Sequence, residues 1–117
     1  MQRGLSHLAR ACALAGVLCV ACAAESRGSI GALLAQDRSD GRVHVRRAPP
    51  GMGGAQAGLQ EGDEILLVDG RDVRAMSPRE VHDALEGEVG TSVRLTVFRR
   101  GRVQRLVVTR TALEKGP

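Results

Sequence analysis

The chain has 117 residues, 17 Lys and Arg against 13 Asp and Glu, a net charge of +4, and one aromatic residue, Phe98. A single aromatic removes any base-stacking platform, so the arginines do not by themselves point to nucleic acid. All three cysteines (Cys12, Cys19 and Cys22) fall near the start, which leaves the rest of the chain without a disulfide, a thiol nucleophile or a thiolate metal site.

In chain order, Met1–Arg10 carries Arg3, His7 and Arg10 with no acid, and Ala11–Ala24 is an unbroken small and apolar run. A basic start, a short apolar middle and small residues at the end make the pattern of a secretory signal. The run is 14 residues, shorter than the roughly 20 a spanning helix needs. Two processing routes fit. Ala21-Cys22-Ala23 is a small-x-small site with cleavage after Ala23, and Cys19-Val20-Ala21-Cys22 resembles a bacterial lipobox in which Cys22 takes a lipid anchor. Cys19 stands where lipoboxes usually have Leu. Residues 1–24 are therefore expected to be a signal segment, 25–112 one domain and 113–117 a frayed tail. Without Arg3 and Arg10, 15 basic residues face 13 acidic ones, a net charge of +2. The expected location is the periplasm or, with an anchor, the periplasmic face of the outer membrane.

Beyond the signal, the rhythm is that of short strands and one helix. Ile30–Gln36 reads as a strand, Asp37–Gly41 as a polar turn, and Arg42–Arg46 as a second strand with Val43 and Val45 on one face. Ala48–Gly54, with two prolines and three glycines, is excluded from helix and from interior strand. Ala55-Gln56-Ala57 suits a single helical turn stopped by Gly58. Leu59 then points inward, and Glu61-Gly62-Asp63 turns into the strand Ile65–Val68. Asp69-Gly70 is a strong turn signal. Ser77, Pro78 and Glu80 form a capping box that opens the only long helix, and Gly87 is expected to end it in a left-handed conformation. Ser92–Phe98 and Arg102–Thr111, joined through Arg99-Arg100-Gly101, read as a hairpin.

The run from Ala55 to Gly70 (AQAGLQEGDEILLVDG) is similar to the A-x-x-A-G-L-x-x-G-D-x-I-x-x-[IV]-[DN]-G core of bacterial PDZ domains, the type found in periplasmic serine proteases and C-terminal processing proteases. Flanking elements extend the match over about Ser26 to Thr109. The resemblance implies a mainly β fold with α: a small, partly open β-sandwich of five to six strands with one main and one short helix. It also implies a binding function, in which an extended peptide adds a strand to a sheet edge. Ser29-Ile30-Gly31-Ala32 occupies the position of the family's carboxylate-binding loop, where successive backbone N–H groups can hold a terminal carboxylate. By the same resemblance Ile30, Ala32 and Leu34 come from the binding strand. Pro78, His82 and Leu85 line the groove from the first, fifth and eighth helix positions, and Arg27 adds charge for the carboxylate. Taken alone, Ile30–Leu34 also reads as an ordinary edge strand with Gly31 as a bulge, and His82 as a plain surface histidine.

This chain departs from the pattern in two places. Ala32 replaces the usual aromatic, and Pro78 replaces the histidine that selects Ser or Thr in many animal PDZ domains. An apolar C-terminal side chain against Ile30, Ala32 and Leu85 is the better expectation. No nucleophile elbow or paired catalytic motif occurs, so neither catalysis, nor a cofactor, nor a metal is expected. The hairpin arginines (Arg94, Arg99, Arg100, Arg102, Arg105, Arg110) read as a solvated strand face, with anionic lipid or polysaccharide as the lesser reading. The expected function is a non-catalytic adaptor that binds extended segments or C-termini of other envelope proteins. The alternative is an assembly module that pairs through its edge strand without recognising a free C-terminus. No nucleic acid is expected as partner, and membrane only through the anchor at Cys22.

Overall fold

Alternation of buried and exposed side chains organises the larger sheet of the computed structural model, which describes residues 27–112. The signal segment 1–24, the lipidation candidate Cys22 and the tail 113–117 lie outside the described residues. The elements run β1 (Arg27–Ser29), β2 (Leu33–Gln36), β3 (Val43–Arg47), α1 (Gly53–Gln56), β4 (Glu64–Val68), β5 (Arg71–Asp72), a 3-10 turn (Val73–Ala75), α2 (Pro78–Leu85), β6 (Gly87–Glu88), β7 (Ser92–Arg99), β8 (Arg102–Thr109) and β9 (Thr111–Ala112). The larger sheet has the order β2-β3-β4-β7-β8, with β5 hung from β4, and the smaller one the order β6-β1-β9. The fold is thus mainly β, with one main and one short helix.

Val43 and Val45 of β3, Ile65 and Val68 of β4, Val93, Leu95 and Val97 of β7 and Val108 of β8 form the buried face of the large sheet. Leu59, Val81 and Leu85 join the same core, which ties α2 to that sheet. The tight connections are the ones the sequence indicates. Asp69-Gly70 and Arg100-Gly101 have positive φ at both residues, the turn that matches the twist of paired strands.

Four local expectations need correction. The strand expected over Ile30–Gln36 begins only at Leu33, because Gly31 is left-handed at φ 68° and takes Ile30–Ala32 out of the ladder. The strand expected over Arg102–Thr111 is broken at Arg110, whose backbone N–H turns aside to Thr91 O. Gly53 and Gly54, excluded from helix on composition, open α1; Gly53 packs where a Cβ would collide with Thr109 O. Gly87 does not carry the helix end in a left-handed conformation. Glu86 caps α2 in an extended conformation and Gly87 pairs with Gly28 in β6.

One buried ion pair locks the α1–β4 loop to the hairpin. Arg99 donates Nε to Asp63 Oδ1 and Nη2 to Asp63 Oδ2, both at 2.7 Å, and Nη2 also reaches Gly58 O at 2.7 Å. Asp63 Oδ2 also accepts the Gln60 N–H at 2.9 Å, and the residue is 1% exposed. Burial pushes the Asp63 carboxyl upward, but the Arg99 and Gln60 hydrogen bonds outweigh it and hold the group below its ordinary range. A depressed carboxyl contributes stability that is complete above its unfolded pKa of about 3.9 and vanishes as pH falls through the lower folded value. Urea unfolding of Arg99→Ala at neutral pH is expected to show a loss of about 3–5 kcal/mol, since it strands a buried carboxylate. The stability gap between the wild type and Asp63→Asn should hold above about pH 4 and close below it.

Candidate functional site

The turn that ends β2 and the cap that begins α2 together open a cleft. Asp37 accepts the backbone N–H and the hydroxyl of Ser39, and its own N–H and C=O bond Arg42 and Gly41, so β2 folds back on β3. Gln36 Nε2 donates to Gly41 O and to Met76 O, both at 3.1 Å, which fastens this turn to the residue before the N-cap of α2. At that N-cap Ser77 Oγ accepts the Glu80 N–H at 3.1 Å while Glu80 Oε1 accepts the Ser77 N–H at 2.7 Å. The Ser77 backbone hydrogen bond, followed by the side-chain one, holds the Glu80 carboxyl below its ordinary range.

Among the described residues β2 pairs only with β3, so its other edge is left without a strand partner, beside α2. Between them lies a cleft of about 340 Å³. Ser29, Ile30, Ala32, Leu34, Pro78, His82 and Leu85 all line it, together with Leu33, Gln36, Val43, Val81 and Glu86. Seven of the nine residues singled out from the sequence therefore meet around one mostly apolar space.

The other two do not line it. Gly31 faces a neighbouring hollow with Pro49, Pro50 and Met52; its φ of 68° disfavours a Cβ and the Met52 side chain against it excludes one. Its N–H bonds Ser29 Oγ at 3.2 Å, which holds the loop shape. Arg27 is 68% exposed by its side chain, and its Nη2 sits 2.6 Å from Glu86 Oε1. The opposite oxygen of Glu86 is 3.1 Å from His82 Nε2. Glu86, which sequence reasoning did not single out, therefore stands in the cleft as a carboxylate already held from two sides.

A second residue missed by the sequence reading fixes the far end of α2. Arg110, read as part of a solvated basic face, is 9% exposed. It donates Nε to Leu85 O at 3.0 Å, Nη2 to Ala84 O at 3.2 Å, and Nη1 to Thr91 Oγ1 at 3.0 Å and Ser92 O at 3.3 Å. A guanidinium at a helix C-terminus satisfies carbonyls that have no partner within the helix and complements the helix dipole. Gly87 is what lets it in, since a Cβ there would stand 2.9 Å from Cζ and Nε. Nothing in the spacing of Arg110 distinguishes it from the other hairpin arginines; only the break between β8 and β9 does.

The PDZ domain family profile matches residues 20–98. Among solved structures, the photosystem II D1 C-terminal processing protease superposes with a TM-score of 0.70 and 32% identity, over 80% of this chain and 25% of that one. The serine endoprotease from Yersinia pestis matches at a TM-score of 0.61 and 30% identity, over 76% of this chain and 30% of that one. The PDZ domain of the carboxy-terminal protease from Vibrio cholerae, solved in complex with peptide, matches at 0.64 and 25% identity, over 77% of this chain and 99% of that one. The chain thus spans a quarter to a third of the whole proteases it matches. Among curated proteins none matches it.

The Arg110 cap makes the geometry of the cleft testable through stability. Arg110→Ala is expected to lower the unfolding free energy by about 3 kcal/mol, because several buried carbonyls lose a charged donor. Arg110→Lys should recover only part of this, since one ammonium cannot reach acceptors spread over two elements. Gly87→Ala should destabilise the Arg110 protein more than it destabilises Arg110→Ala, a coupling that a double-mutant cycle by urea denaturation reads directly.

Proposed function

The chain belongs to the PDZ domain family, and on that premise we propose that it binds extended segments or C-termini of other envelope proteins by adding a strand to β2. In this reading it is a non-catalytic adaptor, exported to the periplasm or anchored through Cys22 at the periplasmic face of the outer membrane. The observation that carries the proposal is the cleft itself, with an unpaired strand edge on one side and a capped helix on the other. A strand laid along Leu33–Gln36 takes its main-chain hydrogen bonds from β2 and sets alternate side chains against α2. The apolar lining contributed by Ile30, Ala32, Leu34 and Leu85 favours an apolar side chain at the ligand's end. Pro78 has no side-chain donor, so selection of a Ser or Thr hydroxyl from that position is absent. Support for peptide as the ligand class comes from the Vibrio cholerae domain, solved with a peptide at 25% identity.

A C-terminal peptide library presented to the chain, then repeated with amidated peptides, separates carboxylate capture from strand pairing. Enrichment of apolar-ended peptides that is lost on amidation is the expected result. Equal enrichment after amidation supports assembly through the β2 edge instead. Leu34→Asp is expected to weaken binding at least tenfold, while His44→Asp, on an exposed position of β3, leaves it unchanged.

The Arg27–Glu86 pair adds a finer expectation. A ligand carboxylate reaching for Arg27 competes with Glu86, so Glu86→Gln should tighten free-carboxylate peptides up to about fivefold, the scale of an exposed ion pair. Amidated peptides should be unaffected. Titration calorimetry on the two peptide forms checks this.

A further inference from the structure

The β7–β8 hairpin carries a surface that the cleft does not use. Val93, Leu95 and Val97 of β7 and Val108 of β8 point inward, which leaves Arg94, Thr96 and Phe98 on the outer face with Val103, Arg105 and Val107. The register sets Phe98 opposite Val103, Thr96 opposite Arg105 and Arg94 opposite Val107. Phe98, Val103 and Val107 are 41%, 56% and 62% exposed, three of the five large apolar side chains left in solvent among the described residues. Scattered exposed apolar residues are ordinary; three gathered on one strand face are not.

The hairpin's own charge has one sign. Residues 92–112 hold six arginines and no Asp or Glu. Arg99 and Arg110 are spent on internal bonds. By register Arg94 and Arg105 lie on the outer face, while Arg102 stands opposite Arg99 on the other face and Arg100 is in the turn. Among the described residues, neither Arg94 nor Arg105 has a carboxylate within salt-bridge distance. Three acids border the face. Asp72, in a hollow shared with Thr96, is 3.4 Å from Arg74. Glu64, opposite Phe98 in β4, is half-buried and 3.7 Å from Arg42. Asp69 accepts the backbone N–H of Arg94 at 2.9 Å.

A soluble polyanion would satisfy these arginines and leave Phe98, Val103 and Val107 in water. An acidic bilayer satisfies both sets of groups at once, with headgroup phosphates outside and acyl chains beneath. We infer that the outer face of the β7–β8 hairpin docks on an anionic lipid bilayer, with Arg94 and Arg105 at the phosphates and the three apolar side chains in the interfacial layer. The sheet order makes this compatible with an open cleft. β8 and β2 are the two ends of the five-strand path, about 19 Å apart at ~4.8 Å per strand.

Vesicle co-sedimentation of the full chain tests the inference. Each arginine at an anionic surface is worth about fivefold in partitioning, so binding to phosphatidylglycerol-containing vesicles should exceed binding to phosphatidylcholine vesicles by at least about twentyfold at low salt. That excess should fall steeply as salt approaches 1 M. Arg94→Glu/Arg105→Glu is expected to lose at least tenfold on the anionic vesicles. Val103→Ser/Val107→Ser is expected to lose severalfold on them and nothing on dextran sulfate. Residues 1–24, with Arg3 and Arg10, are present in every variant, so their own lipid affinity cancels in the ratios of variant to wild type. Leu34→Asp, which disables the cleft in the proposed function, should bind vesicles as the wild type does. If a charge-reversed chain does not fold by circular dichroism, Arg94→Gln/Arg105→Gln reads the same loss in smaller degree. Wild-type binding by a folded charge variant overturns the inference, as does indifference of the vesicle-bound chain to the two valine changes.

Discussion

The position of the groove helix rests on one buried cation. α2 has only eight residues, a length at which isolated helices do not persist in water. Its first turn is secured by its own sequence through the Ser77–Glu80 box, but its last turn has no comparable local device. Arg110, from 25 residues further on, supplies it by binding Ala84 O and Leu85 O. The same guanidinium reaches Thr91 and Ser92, so the helix end, the start of β7 and the end of β8 are held as one corner. The partners of Arg110 there are carbonyl and hydroxyl acceptors rather than another ion. That arrangement avoids the desolvation of a second charge that a buried salt bridge entails.

Asp63 and Arg99 solve a different problem at the other end of the hairpin. The loop between α1 and β4 turns sharply, and its carboxylate gathers one backbone N–H and a bidentate guanidinium while Arg99 returns a bond to Gly58 O. A bidentate pair fixes orientation as well as distance. The two arginines therefore brace the hairpin at both ends, one against the helix that flanks the cleft and the other against the loop that leads into β4. The sheet between them is held by its backbone ladders and a core of apolar side chains, with no cysteine beyond residue 22 to staple it.

What could be read from the residues and what could not divides along physical lines. Periodicity of two in β7, the capping box of α2 and the two-residue turns at Asp69-Gly70 and Arg100-Gly101 are local, and each was legible. So was the cluster of cleft residues, because the spacing of the PDZ-like core carries the register with it. Apart from the late start of β2, which Gly31 itself sets, the failures below are non-local. Gly87 looks like a helix terminator, yet its missing Cβ answers to Arg110, distant in sequence. Arg27 looks like a free cation beside a carboxylate loop until Glu86, from the other end of the helix, is found against it. Gly53 and Gly54 look like loop, yet they open a helical turn packed against Thr109 and Ile30 too closely for any side chain. In each case the deciding partner lies at least 20 residues away, beyond any pattern a window of sequence can display.

The two ends of the large sheet show why a partner strand would choose one edge and avoid the other. β8 is eight residues long, and an edge strand of that length invites unwanted pairing. It carries Arg102 and Arg105, whose charges oppose a second copy laid antiparallel on it, and α1 packs against its C-terminal end at Thr109. β2 has four residues, Leu-Leu-Ala-Gln, with no charge to repel a guest. Shortness protects it from indiscriminate pairing, since four residues offer few ladder bonds, and Gly31 ends the ladder abruptly at Leu33. A guest strand at β2 therefore gains enough only when α2 also grips its side chains. Affinity then depends on the helix being in place, and so on Arg110, a residue that touches neither the strand nor the cleft.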